Sequence, residues 1–209
     1  GAHAGVSVGP DGSTHQATED IALVRVMPTM IVVAPCDYEE AKKATLEIAK
    51  IVGPCYLRLG REATPVMTTK NTPFKIGKAE IFRHGKDATI VACGPLVYEA
   101  LKAAKELEKE KISAQVINNH TIKPLDEKTL LQAARDTGAF VTVEEHQKNG
   151  GMGSAVCELL AENYPIPVER VGVDDRFGES GEPEELLEKF GLTAPYIIKA
   201  VKKVLRRKT

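Results

Sequence analysis

Two imidazoles and a carboxylate stand among glycines near the start of the chain. They are His3, Asp11 and His15, within Ala2-His3-Ala4-Gly5-Val6-Ser7-Val8-Gly9-Pro10-Asp11-Gly12-Ser13-Thr14-His15-Gln16. Imidazole exchanges protons near neutral pH, and a carboxylate accepts hydrogen bonds from hydroxyl groups. A loop of this kind suits a polyhydroxylated, anionic ligand; the plain alternative is a solvated surface loop. Arg58 and Arg61, in Tyr56-Leu57-Arg58-Leu59-Gly60-Arg61-Glu62, follow an apolar strand-like run, where a guanidinium can grip a phosphate through two N–H groups. A salt bridge from Arg61 to Glu62 is the competing reading. Gly150-Gly151-Met152-Gly153-Ser154-Ala155 opens a helix after a strand, a setting that attracts anions. The last glycine of a dinucleotide fingerprint is replaced by Val156, so close packing of the helix on a sheet is expected there, not a nicotinamide site. Glu144-Glu145-His146 is read as structural, with the carboxylates holding the ring, and His84 and His120 receive no functional role.

The elements that must position these residues alternate. Residues 1–18 read as a loop. Asp20 leads a helix that Pro28 stops, and residues 30–34 form a buried strand. Asp37 caps a helix reaching about Val52, with Ala41, Ala44, Ile48 and Val52 on one stripe, and residues 55–59 form the next strand. Residues 61–74 are polar and bounded by prolines, which marks a domain boundary. Beyond it an edge strand (76–82), a central strand (88–93) and a helix (96–108) are expected. Further strands follow at 113–117, 140–143 and 168–173. Asp126 caps a helix with Leu125 and Leu130 as a hydrophobic staple, a second spans 153–163, and Pro183 starts a short one closed by Gly191. Thr193 caps the last helix, with Ala194, Ile197, Val201 and Leu205 inward, and its basic end (Lys199, Lys202, Lys203, Arg206, Arg207, Lys208) is a solvated face. The fold class is α/β: two three-layer α/β/α segments, residues 1–66 and 74–209, the second with a mainly parallel five-stranded sheet.

Composition narrows the partners. The 209 residues hold 28 Lys and Arg against 29 Asp and Glu, a net charge of −1, which argues against nucleic acid. A hydrophobic fraction of 43% supports a real core, while the longest apolar run, residues 30–34, is far below the ~20 residues of a membrane span. The four cysteines, Cys36, Cys55, Cys93 and Cys157, show no metal or disulfide spacing, so a reducing, cytoplasmic setting is expected. No signal peptide is visible, and the start at Gly1 inside a loop suggests a longer parent chain.

Taken in order, several motifs resemble the transketolase family of thiamine diphosphate enzymes. They are Asp11-Gly12-Ser13-Thr14-His15-Gln16, Glu19-Asp20-Ile21-Ala22-Leu23 with Arg25 and Pro28, and Arg61. Thr121-Ile122-Lys123-Pro124-Leu125-Asp126 follows, then Val143-Glu144-Glu145-His146 with Gly150-Gly151-x-Gly153. Ser180-Gly181-x-Pro183-x-Glu185-Leu186-Leu187 closes the series. The resemblance spans the chain and corresponds to the end of the pyrimidine-binding domain plus the C-terminal domain, as in transketolases split into two polypeptides. It implies transfer of a two-carbon ketol unit from a ketose phosphate to an aldose phosphate, as in the pentose phosphate pathway. His3 and Arg61 would bind the substrate phosphate, Asp11 would hold a hydroxyl beside the reacting carbonyl, and His15 would stabilise charge on the substrate oxygen. Thiamine diphosphate and Mg²⁺ would be held mainly by a missing N-terminal half, with the complete unit a homodimer and this segment inactive alone. Pro10 departs from the family's usual acid and tightens the turn. The related deoxyxylulose-phosphate synthases share the Asp-Gly-x-Thr-His-Gln segment but carry Arg where this chain has His3. They remain the alternative, together with a non-catalytic α/β interaction subunit.

Overall fold

The computed structural model describes residues 1–208. After the loop with its short 3₁₀ turn, Gly9–Asp11, the first segment contains α1 (Asp20–Arg25), β1 (Ile31–Val33), α2 (Tyr38–Ile48) and β2 (Cys55–Leu57). The second contains β3 (Glu80–Arg83), β4 (Ala88–Ala92), α3 (Val97–Lys109), β5 (Ala114–Asn118), β6 (Thr121–Lys123) and α4 (Glu127–Thr137). It continues with β7 (Phe140–Gln147), α5 (Met152–Asn163), β8 (Val168–Val173), α6 (Pro183–Lys189) and α7 (Ala194–Leu205).

The larger sheet has the order β3-β5-β4-β7-β8, parallel except for the antiparallel edge strand β3. Every residue of β4 and β5 is buried, as expected of strands covered on both faces. On one face, Ile90, Val116, Val141 and Val173 meet α3 and α7 through Ala100, Leu107, Ile197 and Val201. On the other, Val91, Ile117 and Phe140 meet α4 and α5 through Leu130, Ala134, Met152 and Leu160.

That second layer also contains Ile21, Val32 and Ala34, so the first segment docks on the sheet through the same apolar core. The two segments are stitched as well as packed. Strand β6 leaves the second segment and pairs antiparallel with β1, which pairs parallel with β2, to make a sheet of order β2-β1-β6. Lys123 at its end donates to the carbonyls of Arg25 (2.8 Å) and Met27 (2.6 Å), the open C-terminal end of α1. Residues 58–79 form an irregular strap between the segments. Asp37 holds it by accepting from the backbone of Met67 and Thr68 while also capping α2 at the Glu40 N–H.

Several local expectations need correction. Helix α2 ends at Ile48, four residues early, and Val52 is bare: Gly53 and Pro54 lie beyond a turn that already leads to β2. Thr193 does not cap α7 with its side chain. Its hydroxyl donates to Glu188, and the Ala194 N–H is taken by Glu99 instead. In α7 Val204 is the buried residue and Leu205 is half-buried. Strand β7 runs on to Gln147, which puts Glu144, Glu145 and His146 inside it. The basic end of α7 is exposed, but Lys202 pairs with Glu110, and Lys203 and Arg207 pair with Glu169.

Candidate functional site

The loop is held against the end of β2. The Leu59 N–H donates to the Gly1 carbonyl, and the Ala4 N–H donates to the Leu59 carbonyl. His3 therefore lies beside Leu59, two residues from Arg61. Its backbone has φ +62°, a left-handed conformation that costs a non-glycine residue roughly 1 kcal/mol or more. The Ala17 N–H fixes it by donating to the His3 carbonyl at 3.0 Å. His15 returns at the far end of the loop, and the two rings lie tilted at 58° to each other with centroids 6.1 Å apart. On the same loop Asp11 forms an ion pair with Arg61, which also donates to the Val8 carbonyl at 3.3 Å. The four residues named from the sequence thus lie on one tip, the loop and the strand end it rests on, as two pairs, His3 with His15 and Asp11 with Arg61; His3 is half-buried and the other three are exposed. The Glu62 contact offered as the competing reading is also present, but longer, at 3.8 Å.

The tip therefore offers an exposed guanidinium with its carboxylate partner and, on the same loop, two imidazoles. The Arg61–Asp11 pair is roughly two-fifths exposed on either side, so solvent weakens it. An anion competing for the guanidinium would leave the Asp11 carboxylate free as an acceptor.

Arg58, three residues earlier, has a different role. It is buried, makes two bonds to the Asp20 carboxylate at 2.8 and 3.0 Å, and donates to the carbonyls of Ala17 and Glu145. Burial alone would raise the Asp20 carboxyl; the charge and bonds of Arg58, with the Tyr56 hydroxyl at 2.8 Å, hold it below the usual carboxylate range. Arg58 is a scaffold residue, unavailable to a ligand.

The Gly-rich helix start packs as expected. Backbone N–H groups of Met152 and Gly153 point at the Glu144 carboxylate at 2.7 and 2.8 Å, so the anion at this helix N-terminus is the protein's own. A side chain at residue 151 would begin 2.2 Å from a Glu144 oxygen, which is why glycine stands there. Burial pushes the Glu144 carboxyl up to about 7 despite those two donors. The carboxylates do not hold the His146 ring, contrary to expectation. Its Nδ1 lies 2.7 Å from the Gln147 carbonyl, its Nε2 accepts from the Ala22 N–H at 3.3 Å, and Glu144 stays 4.0 Å away. These bonds fit one neutral tautomer, and burial lowers the ring's proton affinity.

A groove of about 810 Å³ includes Ser7, Gly60, Glu62 and Glu145 but none of His3, Asp11, His15 or Arg61. Six further glutamates besides Glu145 line it (Glu62, Glu99, Glu182, Glu184, Glu185, Glu188), a poor environment for a phosphate. Among the described residues no group of three His, Cys, Asp or Glu side chains comes together as a metal site. No described helix is long and apolar enough to cross a membrane.

Residue chemistry alone missed the parts that hold the loop. Gln16, 6% exposed, donates through Nε2 to the Val6 carbonyl (3.0 Å) and the Glu179 carbonyl (2.9 Å), tying the loop to the corner before Ser180-Gly181. Its place directly after His15 was the only signal available.

Comparison with known proteins agrees along the whole chain. Residues 1–67 match the family model for the transketolase pyrimidine-binding domain, and residues 77–197 match that for the transketolase C-terminal domain. A 6-deoxy-6-sulfo-D-fructose transketolase subunit of Clostridium sp. (strain MSTE9) is 44% identical over 208 residues, covering 100% of this chain. A putative transketolase C-terminal section of Methanocaldococcus jannaschii is 40% identical over 98% of it. This chain spans 65% of the length of each. A solved structure described as a split-gene transketolase, an inactive β4 tetramer, superposes with a TM-score of 0.93 at 47% identity, covering 100% of this chain and 66% of that one.

Proposed function

The chain belongs to the transketolase family, and from that premise we propose that it is the C-terminal section of a thiamine-diphosphate-dependent transketolase. Joined to an N-terminal section, it moves a two-carbon ketol unit from a ketose phosphate to an aldose phosphate. The observation that carries this reading is the pairing of His3 with His15 and of Asp11 with Arg61 on the loop and the strand end it rests on. Arg61 with His3 takes the phosphate, which supplies binding energy away from the reacting carbon. Asp11 accepts from a hydroxyl beside the carbonyl, and His15 meets charge developing on the substrate oxygen.

The family uses thiamine diphosphate, whose thiazolium carbon supplies the carbon–carbon cleavage. One helix N-terminus that could receive a diphosphate, that of α5, is filled by Glu144. We therefore assign the diphosphate and Mg²⁺ to the companion section. A bare apolar stripe on α1 supports such a partner. Leu23, Val26 and Met27 on and just after α1 are 64%, 71% and 54% exposed, although Ile21 on the same helix is fully buried. A helix apolar on both faces is one that something covers.

The test is assembly of this chain with its N-terminal section, followed by assay with two substrate sets. Ketol transfer between sugar phosphates is expected. Condensation of pyruvate with a triose phosphate, releasing CO₂ without ketol transfer, would move the chain to the deoxyxylulose-phosphate synthases. His15→Ala or Asp11→Ala without loss of activity would leave a non-catalytic interaction subunit. Because the Clostridium relative is named for a sulfonated sugar, a 6-deoxy-6-sulfoketose belongs in the assay; a preference for it would replace phosphate by sulfonate as the anion at Arg61.

A further inference from the structure

We propose that Glu145 is a positioning residue for the loop that carries His3, Asp11 and His15: from β7 its carboxylate holds the Ser7 N–H and occupies the space left by the missing side chain of Gly5, so the second segment sets the geometry of a site borne by the first.

The observations meet on one residue. Oε1 of Glu145 accepts from the Ser7 N–H at 2.5 Å. Gly5 has φ +78°, and a Cβ built on it would lie 2.2 Å from both Cδ and Oε1 of Glu145, an approach only glycine allows. The Gly5 N–H donates to the Ala17 carbonyl at 2.8 Å, closing the loop at its neck. The backbone of Glu145 serves the other side of that neck: its carbonyl accepts from the Arg58 Nη2 at 3.0 Å, and the same nitrogen donates to the Ala17 carbonyl at 2.9 Å. One residue of the five-stranded sheet therefore holds one arm of the loop directly and reaches the other through Arg58, and the Thr18 carbonyl accepts from the next-but-one N–H, that of Gln147, at 2.7 Å.

Glu145 is only 3% exposed, and no ion pair reaches its side chain among the described residues. A buried carboxylate in that state is costly, and an apolar residue would pack more cheaply. Burial pushes its carboxyl up; the Ser7 bonds and the nearby charge of Arg58 resist this. The loop geometry accounts for its presence where packing alone does not. Glu145 contacts none of the four tip residues, so its influence passes through Ser7 and Gly5.

The proposal rests on the site reading above, and the experiment separates the two. Glu145→Ala, Glu145→Gln and Gly5→Ala are compared in the chain by amide exchange over residues 3–15 and by the ring resonances of His3 and His15. In the complex with the N-terminal section, KM and kcat are compared for a phosphorylated sugar. Glu145→Ala speeds loop exchange about tenfold, shifts both rings, and raises KM about tenfold with a smaller fall in kcat, because misplacement of a contact by an ångström is felt strongly. Glu145→Gln keeps the acceptor and the volume, and restores wild-type values. Gly5→Ala reproduces the alanine variant, and costs less in the Glu145→Ala background than in the wild type, since the clash has gone. Unchanged exchange and ring resonances in Glu145→Ala overturn the proposal. So does a loosened loop with unchanged KM, the signature of a merely structural contact. A wild-type complex without ketol transfer defeats the function proposed above, while the exchange and ring measurements still decide for or against Glu145.

Discussion

Two arginines three residues apart divide the molecule into a floor and a tip. Arg58 lies in the floor with Asp20, Glu145 and His146, all largely withdrawn from water, and its donors are committed to Asp20 and to two carbonyls. Arg61 lies in the tip with His3, Asp11 and His15, and its main partner is a half-exposed carboxylate. Both are cations at the end of the same strand. Depth makes one a fixed part of the fold and leaves the other open to exchange its partner for a ligand. In the interior an unpaired charge is expensive, so pairing there is a structural requirement. At the surface the same pair is worth little and costs little to break.

Replacing each arginine in turn is the strongest way to break this contrast. Arg58→Ala strands the Asp20 carboxylate in a buried site and is expected to lower unfolding stability by about 3–5 kcal/mol, as removal of one partner from a buried pair does. Arg61→Ala is expected to cost less than about 1 kcal/mol. Urea denaturation of the two variants reads the difference, and equal losses would remove the distinction between floor and tip. The Arg58→Ala loss should also shrink as the pH falls. Asp20 has its proton affinity held down in the folded state, so its contribution is present above the ordinary carboxylate range and is lost as acid protonates it.

The tip was legible in the sequence because its residue types are chemical. Histidine and aspartate among glycines, with an arginine at a strand end, suit a polar ligand, the plain alternative being a solvated loop, and the order of strands and helices followed from hydrophobic periodicity. The floor was not legible. Nothing about Arg58 and Arg61 as residue types tells which one turns inward. That depends on Asp20, nearly forty positions away, being carried by α1 to the side of β2, a long-range consequence of packing. Strand β6 escaped for a related reason. Thr121-Ile122-Lys123 is too short to show a period, and its role comes from β1 offering a free edge. Glu145 was placed in a structural cluster, but its partner Ser7 lies 138 residues away, and only the fold brings the two together.

A second test sharpens the buried side. His120 lies at the junction of the segments, stacked on Phe74 with ring centroids 4.3 Å apart, and its Nε2 has no protein partner. Burial lowers its pKa to about 4. As pH falls through the ordinary histidine value, near 6.5, the unfolded chain takes up a proton that the folded chain refuses until about 4. Stability is therefore lost across that window, by up to about 3 kcal/mol from this ring. Glu144, pushed up to about 7, works in the opposite sense: its raised value makes folding less favourable as pH rises from the ordinary glutamate range. The difference between the wild type and His120→Phe isolates the histidine. Unfolding curves at intervals from pH 7 to about pH 4 should show a shallower acid limb in the variant. Parallel curves would mean that water reaches the junction and that the floor ends short of it.

The smallest effect discriminates most finely, because it separates stability from binding within the tip. Asp11→Asn removes the charge that Arg61 faces while keeping the size of the side chain. Both groups are substantially exposed, so unfolding stability should change by less than about 0.5 kcal/mol. Affinity for inorganic phosphate, followed by titration of the tip resonances, should rise by about two- to fivefold, the equivalent of one weak ion pair released from competition. On the proposed function, ketol transfer in the assembled complex should nevertheless fall, since the carboxylate assigned there to accept from the sugar hydroxyl has become an amide. Tighter anion binding with poorer turnover would mark Asp11 as a residue that holds Arg61 in reserve and reads the substrate once the phosphate has displaced it. A loss of stability comparable to that of Arg58→Ala would instead join the tip to the floor, and the two arginines would then differ in position alone.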